Sequence, residues 1–489
     1  MNARTALQFF TLVCAAALTA ACGGSSGGGA SSNTPNVGAV PPESAVAFGA
    51  ISGFGSIIVN GVRYDTSSAS FSIDDSPGTE DDLEVGDVVI IDGTVSSSGT
   101  TGTAISVTFN DNVEGPISAI PDATTLIVLG QTVHITADTS FDDSIVPRSI
   151  DGLAVTDIVE VSGFVDSIGD ILATRIELKN PGPGDEFEVT GIVEGHVPGA
   201  MTFMINALVV NYSAAMLDND FPGGVITDGD LVEAKGLTIN GLGEFVATEV
   251  DFEDDQLAGL AGDADDHAEI EGLITRFGSQ DDFDVSGITV DARNALFEGD
   301  VNILGLNVKV EVEGRFNANR VLVADKVDIR RDSVVEIEGF VDLDPSAGTV
   351  TVLGITIHVD NLTRIEDKRD DMQTFGLGNI VVGDFIAVRG SEDPNAPGEV
   401  LAARLERDDP DDTILQGIVE SVAEPVITIL GVRIDTSGVT DQNFEDENDM
   451  PIGSAGFFGR PPDGLVVKAK GTEVGVTDIA AIEVEFETP

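Results

Sequence analysis

Apolar and polar residues alternate along this chain in short runs, and the runs end in glycine. In Val308, Val310 and Val312 the apolar side chains face one way, while Lys309, Glu311 and Glu313 face the other. A period of two predicts strands with one face toward a core and one toward water. The run Val155-Thr156-Asp157-Ile158-Val159-Glu160-Val161-Ser162-Gly163 is one copy of a pattern that recurs six times with variation.

Four landmarks recur in fixed order. The first is a glycine two residues before an aliphatic residue, at Gly49, Gly115, Gly191, Gly272, Gly339 and Gly417. The second is a small turn residue between two apolar runs, at Gly61, Gly130, Ala207, Gly287, Gly354 and Gly431. The third is a strand ending in Gly93, Gly163, Gly236, Gly314, Gly390 and Gly471, and in four copies an Asp opens it: Asp87, Asp157, Asp230 and Asp384. The fourth is an alanine three residues before an aliphatic residue, at Ala104, Ala173, Ala247, Ala324, Ala402 and Ala481. Missing such a period would mis-assign the whole fold. It sets repeat units at residues 47–111, 112–185, 186–266, 267–332, 333–410 and 411–489.

Each unit holds about five short strands, and an open sheet that small leaves a bare edge and an uncovered apolar face. Closure into a barrel removes both. The expected fold is all-β, a tandem array of six small five-stranded barrels, OB-like as first choice and SH3-like as second, which strand count does not separate. If the units pack only on sequence neighbours, the array is elongated. Val59-Asn60-Gly61-Val62 reads as a two-residue type I′ hairpin. Leu129, Leu353 and Leu430 stand where Asn60 does, and leucine tolerates positive φ poorly, so longer or bulged turns are expected there. Helix is expected only at residues 374–379 or between the third and fourth strands, where the sixth unit carries an insertion at 441–462.

Gly53-Phe54-Gly55-Ser56-Ile57-Ile58-Val59-Asn60-Gly61-Val62-Arg63-Tyr64-Asp65-Thr66, followed by Val85-Gly86-Asp87-Val88-Val89, resembles the bacterial domain-of-unknown-function family numbered 5666. That family occurs in tandem in exported proteins. The resemblance implies repeated β-barrels and brings no activity with it.

Composition narrows the function classes. The 489 residues include 24 Lys plus Arg against 85 Asp plus Glu, a net charge of -61. Such a chain repels polyanions, so nucleic acid is not an expected partner. Both cysteines, Cys14 and Cys22, lie near the N-terminus, which leaves the barrels without disulfides. Residues 1–21 carry Arg4, an apolar run from Phe9 through Leu18 and then small residues. A run that short does not cross a bilayer of about 30 Å and reads as an export signal. Leu18-Thr19-Ala20-Ala21-Cys22 resembles the bacterial lipobox, which implies cleavage before Cys22 and its lipidation. Gly23 rather than Asp follows, which in Gram-negative lipoproteins points to the outer membrane. Residues 22–46 then form a lipid anchor and a Gly/Ser-rich tether.

No catalytic constellation emerges. His134, His196, His267 and His358 fall in four units without ligand spacing and read as strand-surface residues. The repeat units hold no Gly-x-Ser-x-Gly elbow, the chain has no Trp and only Tyr64 and Tyr212 for stacking, and Phe71, Phe141 and Phe297 read as barrel core. The expectation is no catalytic and no cofactor-binding residues. Acidic runs at 251–255, 263–266 and 408–412 offer the oxygen ligands Ca²⁺ takes, or else serve solubility. The expected function is a non-enzymatic binding or interaction module of the cell envelope, membrane-held through its lipid anchor, periplasmic or surface-facing, with a protein or small-molecule partner. The competing reading is a structural spacer or adhesin-like stalk stiffened by calcium. The unequal loops at 366–378 and 441–462 favour recognition.

Overall fold

A computed structural model describes residues 42–180, 186–253, 266–330, 333–346, 348–370, 372–394, 396–448, 450–460 and 462–487. The export signal, Cys22, the tether up to residue 41 and the acidic residues at 254–255 and 263–265 lie outside the described residues. Glu43–Gly53 is already a strand, so the first barrel begins inside the stretch expected to be tether.

Each unit closes into the same ring. In the first, Glu43–Gly53 pairs antiparallel with Ile57–Val59 and with Val88–Val95. Val62–Asp65 pairs with Ile57–Val59 and runs parallel to Thr101–Phe109, which returns to Val88–Val95. The spatial order is first, second, third, fifth, fourth, with a parallel third-to-fifth contact. This is the OB-like arrangement, and it separates the fold from the SH3-like alternative. The same parallel closing pair recurs in the other five units. In the third unit the first strand is broken at Val193 into Phe187–Ile192 and Glu194–Val197, each half keeping its partner.

The four landmarks are the joints of this ring. The aliphatic residue of the first landmark exchanges two backbone hydrogen bonds with the turn that opens the fourth strand. Ile51 N–H donates to Asp87 O at 2.8 Å while Gly86 N–H donates to Ile51 O at 2.9 Å, and Ile117, Val193, Ile274, Val341 and Val419 repeat this at 2.8–3.0 Å. The turn residue sits at positive φ, between 64° and 102°, as Gly86, Thr156, Gly229, Asn307, Gly383 and Gly464. The Asp that follows caps the turn: Asp87 Oδ2 accepts from Glu84 N–H at 2.7 Å, and Asp157, Asp230 and Asp384 do the same three residues back. The third and fourth landmarks are register partners at a β-bulge, as Gly93 with Ala104 and Gly163 with Ala173. A Cβ on Gly163 would lie 2.3 Å from Leu172 O, and the other five glycines meet a carbonyl at 2.2–2.4 Å. Only glycine admits that approach.

The leucine turns differ from expectation. Val128 pairs with Gln131, Val352 with Ile355 and Ile429 with Val432, so each is a two-residue turn. Leu129, Leu353 and Leu430 adopt φ of 44°, 53° and 47°. They are 2%, 1% and 9% exposed, and burial of the leucine side chain outweighs the backbone cost. A short fourth element lies along each fifth strand and sets an apolar residue beside the fourth landmark: Phe71 faces Val107, Phe141 faces Ile176 and Phe297 faces Val327. The insertion of the sixth unit holds a helix, Gly453–Gly459. Its Phe457 is fully buried and stacks on Phe486 at 4.7 Å. The insertion therefore packs against the barrel core. The loop at 366–378 is docked too, with Phe375 buried and the Arg407 guanidinium 4.7 Å from its ring centroid.

The units dock as pairs, and not as a simple neighbour-to-neighbour array. The second and third share an edge through Val113–Asp122 and Phe187–Ile192, and the fifth and sixth through Val335–Ser346 and Thr413–Ala423. The first pairs in parallel with the fourth, Ala45 opposite His267 and Phe48 opposite Ile270. One continuous core runs through the second and third units and another through the fifth and sixth. Ala50, Val88, Phe164 and Leu273 form a smaller cluster where the first, second and fourth meet. Polar contacts add to this: Arg364 of the fifth unit donates to Thr174 O of the second at 3.1 Å, and Lys368 lies 3.2 Å from Asp143.

Candidate binding cavity and acidic junction

Docking forms open cavities between barrels that no single barrel contains. The larger cavity, about 950 Å³, lies where the first four units meet. Its apolar wall includes Phe48, Ile90, Phe164, Ile168 and Ile192, with Phe48 and Phe164 edge to face at 6.0 Å. Its polar wall is held by contacts between units. Asn206 Nδ2 donates to Gln131 Oε1 at 2.7 Å and to Gly169 O at 2.9 Å. Ser162 Oγ accepts from Val88 N–H at 2.8 Å. Asn307 Nδ2 donates to Asp166 Oδ2 at 3.0 Å. Asn110, Asp111 and Ser286 also line it, and Asn110 Oδ1, Ser286 Oγ and both carboxylate oxygens of Asp111 are buried without a hydrogen-bond partner among the described residues. Buried polar atoms are nearly always satisfied, so such atoms beside a cavity mark where water, an ion or a ligand binds. A second cavity, about 440 Å³, is lined by charged groups that include Glu271, Glu311, Arg330 and Arg364.

Beside Asp111 the second and third barrels bring carboxylates together. Strand register sets Glu114 between two others, opposite Glu160 on one side and Glu188 on the other. Asp74 reaches in from a hairpin tip of the first unit and accepts the Asp111 N–H at 3.2 Å. Burial pushes the Asp111 carboxyl well above the ordinary range, and the charges of Glu188, Glu160, Asp74 and Glu114 push it further. Burial also raises Asp74, lifts Glu160 to about 8 against the pull of Lys179, and lifts Glu188 to about 7. Two ammonium groups approach: Lys179 Nζ lies 2.6 Å from Glu160, and Lys235 Nζ lies 3.5 Å from Glu188 and 2.9 Å from Glu233.

The acidic runs singled out by sequence behave differently. Asp408 pairs with Arg148, and Asp412 lies 3.5 Å from Lys470. In the 251–255 run, Glu253 comes near Asp75 and Glu233, where Lys235 also sits. Each histidine has a local partner: Asp170 for His134, Tyr212 for His196, Glu269 for His267 and Glu399 for His358. His267 is buried, contrary to the strand-surface expectation, on a strand that pairs edge to edge with the first unit, opposite Ala45.

The rings define a class, a chain of tandem OB-like barrels docked on one another. A family model described as Domain of unknown function (DUF5666) matches residues 49–108, 114–177, 271–328 and 336–406. These segments make up more than half of the chain, and the chain belongs to that family. They fall in the first, second, fourth and fifth units, while the third and sixth share the ring but lie outside the matches. Among solved structures the chain is similar to one titled "drosophila Unr CSD456", at 13% identity, covering 44% of this chain and 98% of that one, with a TM-score of 0.14. A comparison with curated proteins finds no match.

Proposed function

We propose that this protein is a non-enzymatic binding module of the cell envelope, exported and anchored through a lipid on Cys22, with its ligand site in the cavity between the first four barrels. The observation that carries the reading is that cavity. At about 950 Å³ it has the size of a small-molecule site. It joins an apolar wall to a few buried polar atoms that lack partners among the described residues. The ligand it suits is a small, largely apolar molecule with one or two hydrogen-bonding groups. A stalk of interchangeable beads has no need of the parallel pairing between the first and fourth units.

Native mass spectrometry of the protein purified from its own envelope tests the reading. Ile168 and Ile192 line the cavity and are 74% and 48% exposed, so Ile168→Trp with Ile192→Trp fills it without disturbing a core. Wild type is expected to carry a bound small molecule that the double variant loses. A wild type without one, or equal retention by the variant, contradicts the reading. Metabolic lipid labelling tests the anchor: Cys22→Ala abolishes it, and unchanged labelling rules that residue out.

A further inference from the structure

The two edge-paired barrel pairs use the same register, which makes each a control for the other. Glu114 opposite Glu160 and Glu188 corresponds to Glu338 opposite Ala387 and Ile414. Counting back from the same glycine, Asp111 stands where Val335 does. Thus three positions that are Val335, Ala387 and Ile414 in one pair are Asp111, Glu160 and Glu188 in the other. The scaffold does not require carboxylates there. Like charges directly opposite in a sheet destabilise it, and buried carboxylates without countercharge are costly.

The carboxylates also converge. Ligand oxygens of Asp74, Asp111 and Glu188 lie within 4.8 Å of one another, and so do those of Asp111, Glu114 and Glu160, with Asp111 common to both groups. Asp111 is 3% exposed, and neither of its carboxylate oxygens has a hydrogen-bond partner among the described residues. Lys179 and Lys235 serve the flanks of the cluster, at Glu160 and Glu188, and neither pairs with Asp111. Backbone contacts hold the linker that carries it: Asn112 N–H donates to Val161 O at 2.9 Å and Thr190 N–H donates to Asn112 O at 3.1 Å.

We propose that Asp111 binds one divalent cation of the calcium type at the junction of the first three barrels, with Asp74 and Glu188 on one side of it and Glu114 and Glu160 on the other. All the donors are hard oxygens, which suits Ca²⁺ over metals that prefer nitrogen or sulfur. Oxygens drawn from three units suit a cation with flexible coordination better than Mg²⁺, which demands near-octahedral geometry. Together with the two lysines, a divalent ion brings the cluster close to neutrality and ties the first barrel to the second and third. Asp111 also lines the cavity assigned above to an organic ligand, so the cation site adjoins that cavity.

The test uses the full chain stripped with EDTA. Isothermal titration with CaCl₂ and thermal melts are recorded for wild type, Asp111→Asn and Glu188→Ile, the last borrowing the residue of the other pair. Wild type is expected to take up one tightly held Ca²⁺ with a rise in melting temperature, to bind Mg²⁺ more weakly, and to lose that binding in both variants. Should Asp111→Asn fail to fold, Glu188→Ile carries the test alone. No heat and no shift for wild type in millimolar Ca²⁺, or undiminished binding in the folded variants, overturns the proposal.

Discussion

Replacing Glu188 by isoleucine should have opposite consequences with and without calcium. In EDTA at alkaline pH, where protons no longer neutralise the cluster, Glu188 repels Asp74 and Asp111, whose oxygens lie within 4.8 Å of its own. At an effective dielectric constant of about 20, one such pair costs about 3 kcal/mol. Part of this is offset by Lys235 at 3.5 Å, and the variant gives that contact up. A net gain of about 1–3 kcal/mol for Glu188→Ile in EDTA follows, several degrees in melting temperature. In saturating Ca²⁺ the same change removes a ligand, so the gain shrinks or reverses. Hydrogen exchange at Phe187–Ile192 and Leu231–Ile239 reads the effect where it arises, free of unfolding elsewhere in a multi-barrel chain. An identical difference between variant and wild type in EDTA and in calcium, or a variant less stable in EDTA, refutes the reasoning.

Other consequences can be checked separately. Gly163→Ala forces a Cβ to within 2.3 Å of Leu172 O, and should cost about 2–4 kcal/mol by chemical denaturation. Gly241→Ala, with nothing within 4 Å, should stay within about 0.5 kcal/mol, and equal losses for the two would refute the bulge argument. Phe457→Ala empties the helix–barrel contact of the sixth unit and should cost about 3–5 kcal/mol there, read as lost exchange protection in Val466–Gly475. Burial raises Glu311 to about 8, Glu269 adds to the shift, and Lys326 opposes it; Asp328 and Arg330 also face it. The folded state then holds a proton that the unfolded state releases around the ordinary carboxyl value of 4.5. Its contribution to stability is full below that value and falls as pH rises toward 8, with a ceiling of about 5 kcal/mol. Glu311→Gln should flatten this part of the stability–pH curve, and an unchanged curve would exclude Glu311 as its source.

Much of the fold was legible because each landmark answers a local steric demand. A bulge that brings a carbonyl within 2.2–2.4 Å of a would-be Cβ admits only glycine, so the glycine recurs. An alanine faces it across the bulge in all six units, as with Gly390 and Ala402. The fourth unit lacks the Gly-Asp step, yet Asn307 takes positive φ there and keeps the latch to Ile274. Local preference misled at Leu129, where burial decides the turn. The candidate site was not legible for a different reason. Glu160 could be aligned with Ala387 from spacing alone, but which strand lies across from it depends on docking between barrels. The chain's acidic runs drew attention, while Asp111, whose carboxylate has no partner among the described residues, sits as a single acid between two asparagines.

The cavity and the acidic junction both exist only if barrels distant in sequence dock as described, and zero-length carbodiimide cross-linking of the intact protein tests this most directly. Lys235 Nζ of the third unit lies 3.0 Å from Asp75 of the first, and Lys368 Nζ of the fifth lies 3.2 Å from Asp143 of the second. Amide links joining peptides 75 to 235 and 143 to 368 within single chains are the expected result. Links confined to residues of one unit, with neither of these two recovered, would contradict it.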